Sequence, residues 1–203
     1  EVVFEGGREL ELDAVSEVPR YYVCNAYGVC GIYNAPGTAV KEAYDTSGIV
    51  TNDRGVTVWL KGNRVSRNQI MAIKEESVTE QKNSLAVCLD NILRHAGITR
   101  NTEYDLAQGK TATMILSENM TGVQVLDLSG CTLDAVLYYV NQDIPVLAIL
   151  DDGEAVLVTG FNEFNVVIME PSTGKLYKKG MNDATAWFAE NGNHFITYMR
   201  TEN

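Results

Sequence analysis

Residues 81–98 read QKNSLAVCLDNILRHAGI, and the fold turns on what this stretch becomes. Leu85, Leu89, Ile92, Leu93 and Ala96 recur at helical spacing, whereas Asp90, Asn91 and Arg94 fall on other faces. That pattern predicts an amphipathic helix laid against a core. Asn83 is the expected N-cap and Gly97 the expected residue just past the end. Arg94 and His95 in the last turn complement the helix dipole. The helix therefore starts and stops on its own signals.

Downstream the periodicity changes. Thr111 to Asn119 reads as a short helix with Ala112, Ile115 and Leu116 on one face, and Val123 to Leu128 as a strand. Leu133, Val136, Leu137 and Val140 mark another amphipathic helix, followed at once by a buried-strand run from Pro145 to Leu150. Asp151-Asp152-Gly153 turns the chain into Ala155 to Phe161. Asn162 to Asn165 turns it into Val166 to Met169, and Pro171 to Gly174 into Leu176 to Lys178. A last helix, Asn182 to Asn191 with Trp187 and Phe188 inward, precedes a closing strand from His194 to Met199. The outcome is an antiparallel sheet dressed with helices.

Upstream, residues 1–12 read as a hairpin with Gly6-Gly7 at the turn, and the Tyr- and Val-rich run from Pro19 to Tyr33 as two strands broken at Asn25 to Gly28. Asn34 to Thr46 is a short helix with Pro36 in its first turn, ended by Gly48. Ile49 to Thr51 and Val56 to Leu60 are strands around Asn52 to Gly55. Lys61 to Gln69 is locally basic and reads as a solvated connection, with an anionic ligand site as the lesser alternative. Ile70 to Ile73 is a brief strand, and Ser77 to Glu80 has capping-box spacing. The chain thus divides into a small β-rich unit with one helix, residues 1–70, and a larger unit, residues 71–203.

The composition bounds the function. With 45% hydrophobic and 21% charged residues the chain folds as ordinary globular protein. A net charge of −11 repels phosphate and argues against nucleic acid or an anionic membrane as partner. No apolar run approaches the roughly 18–20 residues that span a bilayer. The opening EVVFEGG lacks methionine, which predicts a missing upstream segment that carries any address or anchor. Cys24, Cys30, Cys88 and Cys131 form no CxxC or His/Cys cluster, so no zinc site is expected and no cofactor is implied. The cysteines read as small buried hydrophobes. For Cys24 and Cys30 a disulfide is the alternative, if their strands fold back. Asp151, Asp152, Glu154, Glu163 and Glu170 gather acid at one end of the predicted sheet, where calcium is conceivable. The spacing fits no EF-hand loop, and they read as solvated turn residues. Tyr21, Tyr22, Tyr27, Tyr33, Tyr44 and Trp59 load the first unit with aromatics that read mainly as core.

The leading helix, the central helix, PV-strand, long apolar strand ending in Gly160-Phe161, next strand and the Pro171-x-x-Gly174 turn resemble the C39-like group of papain-fold cysteine peptidases over about residues 76–203. The resemblance implies an α+β papain-like fold. It also implies a Cys opening the first helix, an upstream Gln for the oxyanion hole, a His opening the long strand and an Asp before the Pro. Helix N-terminus and imidazolium together favour the thiolate, and the Asp holds the imidazole. Carried over residue by residue, the Cys position is Ser84, the His position is Glu154, the Asp position is Glu170, and Gln81 is the candidate oxyanion donor. The triad reads as degenerate.

Cys88 lies one turn inside the same helix beside the apolar stripe, away from the orphan N–H groups that stabilise a thiolate. His95 is about 10 Å of helical rise from it, too far to pair. His194 opens the last strand rather than the strand the family uses. Three functions follow. The first is a non-catalytic peptidase-like domain that binds a peptide or protein segment in the remnant cleft. The second is an active cysteine peptidase using Cys88 and His194. The third is a structural or assembly module of a larger envelope protein. The resemblance further implies an extracytoplasmic or cell-surface location.

Overall fold

A computed structural model describes residues 4–5, 8–9, 18–28, 30–62, 65–70, 73–75 and 82–201. Two short strands, β1 (Phe4–Glu5) and β2 (Arg8–Glu9), pair antiparallel as the expected hairpin requires. Its Gly6-Gly7 turn lies outside the described residues. Next come β3 (Tyr21–Cys24), β4 (Cys30–Tyr33), α1 (Pro36–Thr46), β5 (Ile49–Asn52) and β6 (Thr57–Leu60). The four strands make an antiparallel sheet in the order β4-β3-β5-β6. Alternation sorts its side chains: Tyr21, Val23, Val50 and Trp59 are buried, while Ile32, Ile49 and Leu60 are exposed on the other face. Cys24 pairs directly with Cys30 across the β3–β4 hairpin, and the two form a disulfide.

Pro36 does sit in the first turn of α1, but the helix ends differently from expectation. Ser47, not Gly48, takes the left-handed position, with φ 54°. Gly48 is needed for space instead, since a Cβ there would stand 3.0 Å from the Cys24 carbonyl oxygen.

The larger part begins with α2 (Ser84–His95), α3 (Glu103–Ala107), α4 (Ala112–Asn119), β7 (Val123–Asp127) and α5 (Leu133–Val140). It continues with β8 (Val146–Ile149), β9 (Ala155–Phe161), β10 (Asn165–Glu170), β11 (Lys175–Gly180), α6 (Met181–Glu190) and β12 (His194–Arg200). The strands form a six-stranded sheet, β11-β10-β9-β8-β12-β7, with every neighbouring pair antiparallel. All seven residues of β9 are buried, and α2 and α5 both pack against it. The strand therefore reads as a near-continuous apolar run rather than an alternating one.

One buried core runs through both sheets. The Trp59 indole N–H donates to the Ala135 carbonyl at 2.9 Å, and the Tyr139 hydroxyl to the Val58 carbonyl at 3.0 Å. Gln124 donates to the Tyr21 hydroxyl at 2.9 Å and accepts from Asn52 at 3.2 Å. These bonds satisfy polar groups that burial would otherwise penalise.

The connection between the sheets is exposed at Lys61, Gly62, Val65 and Ser66, as a solvated loop requires, but its end lies on the sheet. Arg67 is half-buried, donates to the Asn141 carbonyl at 2.9 Å, and its main chain bridges to Phe161. Asn68 and Gln69 lie directly on β9, because Gly160 leaves room there for their backbone. Ile73 N–H donates to the Ile70 carbonyl at 3.0 Å, and both residues are buried. Of the brief strand expected over Ile70 to Ile73, the two described ends belong to no strand, and residues 71–72 lie outside the described residues. The expected capping box at 77–80 lies outside the described residues.

Candidate functional site at the start of helix α2

The sequence puts Asn83 ahead of the apolar run, and its side chain caps α2 by accepting from Ala86 N–H at 3.2 Å. That fixes Ser84 as the first helical residue. Its hydroxyl oxygen accepts a hydrogen bond from Ala155 N–H, the first residue of β9, at 2.9 Å. The 151–154 turn delivers Ala155 to this point. Gly153 takes φ +84°, Leu150 N–H donates to the Glu154 carbonyl at 2.8 Å, and Glu154 N–H donates to the Asp152 carboxylate at 3.0 Å. Ser84 and Glu154 thus flank one junction between helix N-terminus and central strand.

Glu170 closes β10, the neighbouring strand, half-buried, with one carboxylate oxygen accepting from the Ser172 hydroxyl at 3.1 Å. The electrostatics of Cys88 tie the group together. Its side chain is wholly buried, burial pushes the thiol well above its ordinary range, and the nearby charges of Glu170 and then Glu154 push it further. A thiolate is disfavoured here by desolvation and by like charge together. Gln81 lies outside the described residues.

Neither histidine enters this junction. His95, at the far end of α2, donates through Nε2 to the Asp143 carbonyl at 2.7 Å; a carbonyl only accepts, so the proton sits on that nitrogen. Its Nδ1 is buried with no partner among the described residues. His194 is exposed and opens β12, in register with Ile149 of β8, which in turn pairs Ala155. Two strand spacings, about 10 Å, separate the main chains of His194 and Ala155.

The acidic turn residues divide. Asp151, Asp152, Glu154 and Glu170 sit at one end of the sheet, but Glu163 lies in the β9–β10 turn at the opposite end, because β9 runs its full length between them. Among the described residues no group of three or more His, Cys, Asp or Glu is placed to hold a metal ion. Cys131 is also buried, and burial pushes its thiol up to about 12. No described helix is long and apolar enough to cross a membrane.

Sequence reading missed a groove of about 630 Å³ between the crossing segment and the sheet edge, lined by Asn68, Gln69, Lys74, Leu176, Tyr177 and Lys178 among others. Residues a hundred positions apart meet there, and no local pattern announces them.

Helices packed on a six-stranded antiparallel sheet make an α+β fold, consistent with a papain-like one. Similar to it is a crystal structure named "putative C39-like peptidase from Bacillus anthracis", with TM-score 0.56 and 13% identity over 68% of this chain and the whole of that one. No family model and no curated protein matches the chain. At that identity the likeness is one of fold.

Proposed function

We propose that the chain is a non-catalytic, peptidase-like domain whose cleft at the start of α2 holds a peptide or protein segment without cutting it. One observation carries the reading: the Ser84 oxygen, at the nucleophile position, is an acceptor for Ala155 N–H, with Glu154 at the position where an imidazole is required. Serine is a weak nucleophile without an adjacent base, and imidazole is the group that both takes and returns a proton near neutral pH. The buried Cys88 thiol, pushed up by burial and two carboxylates, supports the same reading. On this view residues 71–203 are the peptidase-like domain and residues 1–70 a unit bonded to it. The Cys24–Cys30 disulfide supports an oxidising, extracytoplasmic setting.

The test has two arms. Incubation with a mixed peptide library, read by mass spectrometry, is expected to yield no new termini. The same library immobilised is expected to retain the chain in a manner lost with Glu154→Lys. Cleavage that disappears in Cys88→Ala or in Ser84→Ala would overturn the proposal, as would a library that retains nothing.

A further inference from the structure

We infer that the outer edge of β11 at Lys178 is a docking site for an acidic, extended peptide segment of a partner protein, which adds there as a further strand. β11 is the terminal strand of the six-stranded sheet, paired with β10 along its six residues and with no described strand beyond it. An antiparallel ladder turns the main-chain groups of alternate residues inward and outward. Leu176 fixes the phase, since its N–H donates outward to the Glu75 carboxylate at 3.1 Å. Lys178, two residues on, therefore also faces outward, and its N–H and C=O have no hydrogen-bond partner among the described residues.

The chemistry beside this edge selects the occupant. In a chain of net charge −11, β11 carries Lys175, Lys178 and Lys179, and Lys178 lines a groove of about 630 Å³ together with Lys74 and Glu75. Lys179 lies over the Trp187 ring, 5.1 Å from its centroid. Lys74 and Lys178 are exposed and ion-paired to no described residue. The Glu75 carboxylate already on the Leu176 N–H shows the kind of group this edge receives. An incoming strand supplies main-chain bonds to Lys178, and its acidic side chains meet Lys74 and Lys178. A basic strand is repelled by the same lysines, and a neutral one gains only the ladder. This edge is separate from the Ser84 junction, so the inference stands or falls independently of the proposed function.

The experiment uses the full chain and a fluorescein-labelled Val-Glu repeat peptide matched to the six residues of β11. Fluorescence anisotropy at low ionic strength is expected to show binding that weakens with salt. Lys74→Glu with Lys178→Glu is expected to weaken it roughly tenfold or more. Methylating alternate peptide nitrogens is expected to abolish it, whereas Glu154→Lys leaves it within about twofold. Exchange of the Lys178 amide is expected to slow on binding. Equal binding of a Val-Lys peptide, of the methylated peptide or of inorganic polyphosphate would overturn the inference. So would an unprotected Lys178 amide.

Discussion

Alkylation of Cys88 by iodoacetamide separates an inert fold relative from a working cysteine enzyme. The thiolate is the reacting species, so its population sets the rate. An ordinary thiol with pKa near 8.5 is about 3% thiolate at pH 7. Cys131, pushed up to about 12, is thiolate only about once in 10⁵ molecules, some 3.5 decades less. The Cys88 thiol is pushed well up in the same direction by its complete burial, then by the charges of Glu170 and Glu154. Reagent must also reach a side chain with no exposed surface, and each 1.4 kcal/mol of opening free energy removes another factor of ten. Both thiols are therefore expected to label at least about a thousandfold slower in the native chain than in denaturant, by mass spectrometry of each cysteine. The native rate should climb steadily with pH through the alkaline range. Rapid native labelling of Cys88, with an inflection below pH 7 that moves in His194→Ala, would refute both the burial argument and the non-catalytic reading.

Gly160→Ala should destabilise the chain by about 1–3 kcal/mol in urea unfolding, because its Cβ would stand 2.5 Å from the Asn68 carbonyl oxygen, a backbone atom that cannot rotate away. Ser84→Ala should cost about 1 kcal/mol by leaving the Ala155 N–H unpaired, a purely structural loss measurable by the same method. Tyr139→Phe should cost about 1–2 kcal/mol, since the buried Val58 carbonyl loses its donor, and a single cooperative transition should persist if the two sheets unfold together. Stability should also fall in alkali. The folded-state pKa of Cys131 lies above its unfolded value, so its contribution is complete below about pH 8.5 and is lost toward pH 12 at about 1.4 kcal/mol per unit. Cys131→Ser should flatten that part of the profile.

The sequence by itself determined the elements whose signals are local. Asn83, the 3.6-residue apolar stripe and Gly97 specify α2 without reference to anything distant, and Gly97 does take φ +83°. The turns at Gly153 and Gly174 and the apolar run of β9 were legible for the same reason: dihedral preference and hydrophobic pattern are written in neighbouring residues. α3 was missed because five residues carry too little periodicity to stand out. The order of elements also carried the papain-like fold and brought Ser84 to the start of the β9 strand.

Only the tertiary structure decided the rest. Arg67 to Gln69 reads as solvated loop because its sequence is polar, yet Gly160, more than ninety positions away, opens the space that draws it onto the sheet. Glu163 was grouped with Glu154 by composition, but strand direction sends it to the opposite end. Cys24 and Cys30 share parity in the sequence, and it took the register of β3 on β4 to make them partners. Lys74 and Lys178 line one groove through a strand edge and a crossing segment that no local pattern links. Charge, burial and hydrogen bonding between distant residues depend on distance in space, and a chain's local pattern fixes that distance only within its own turns and helices.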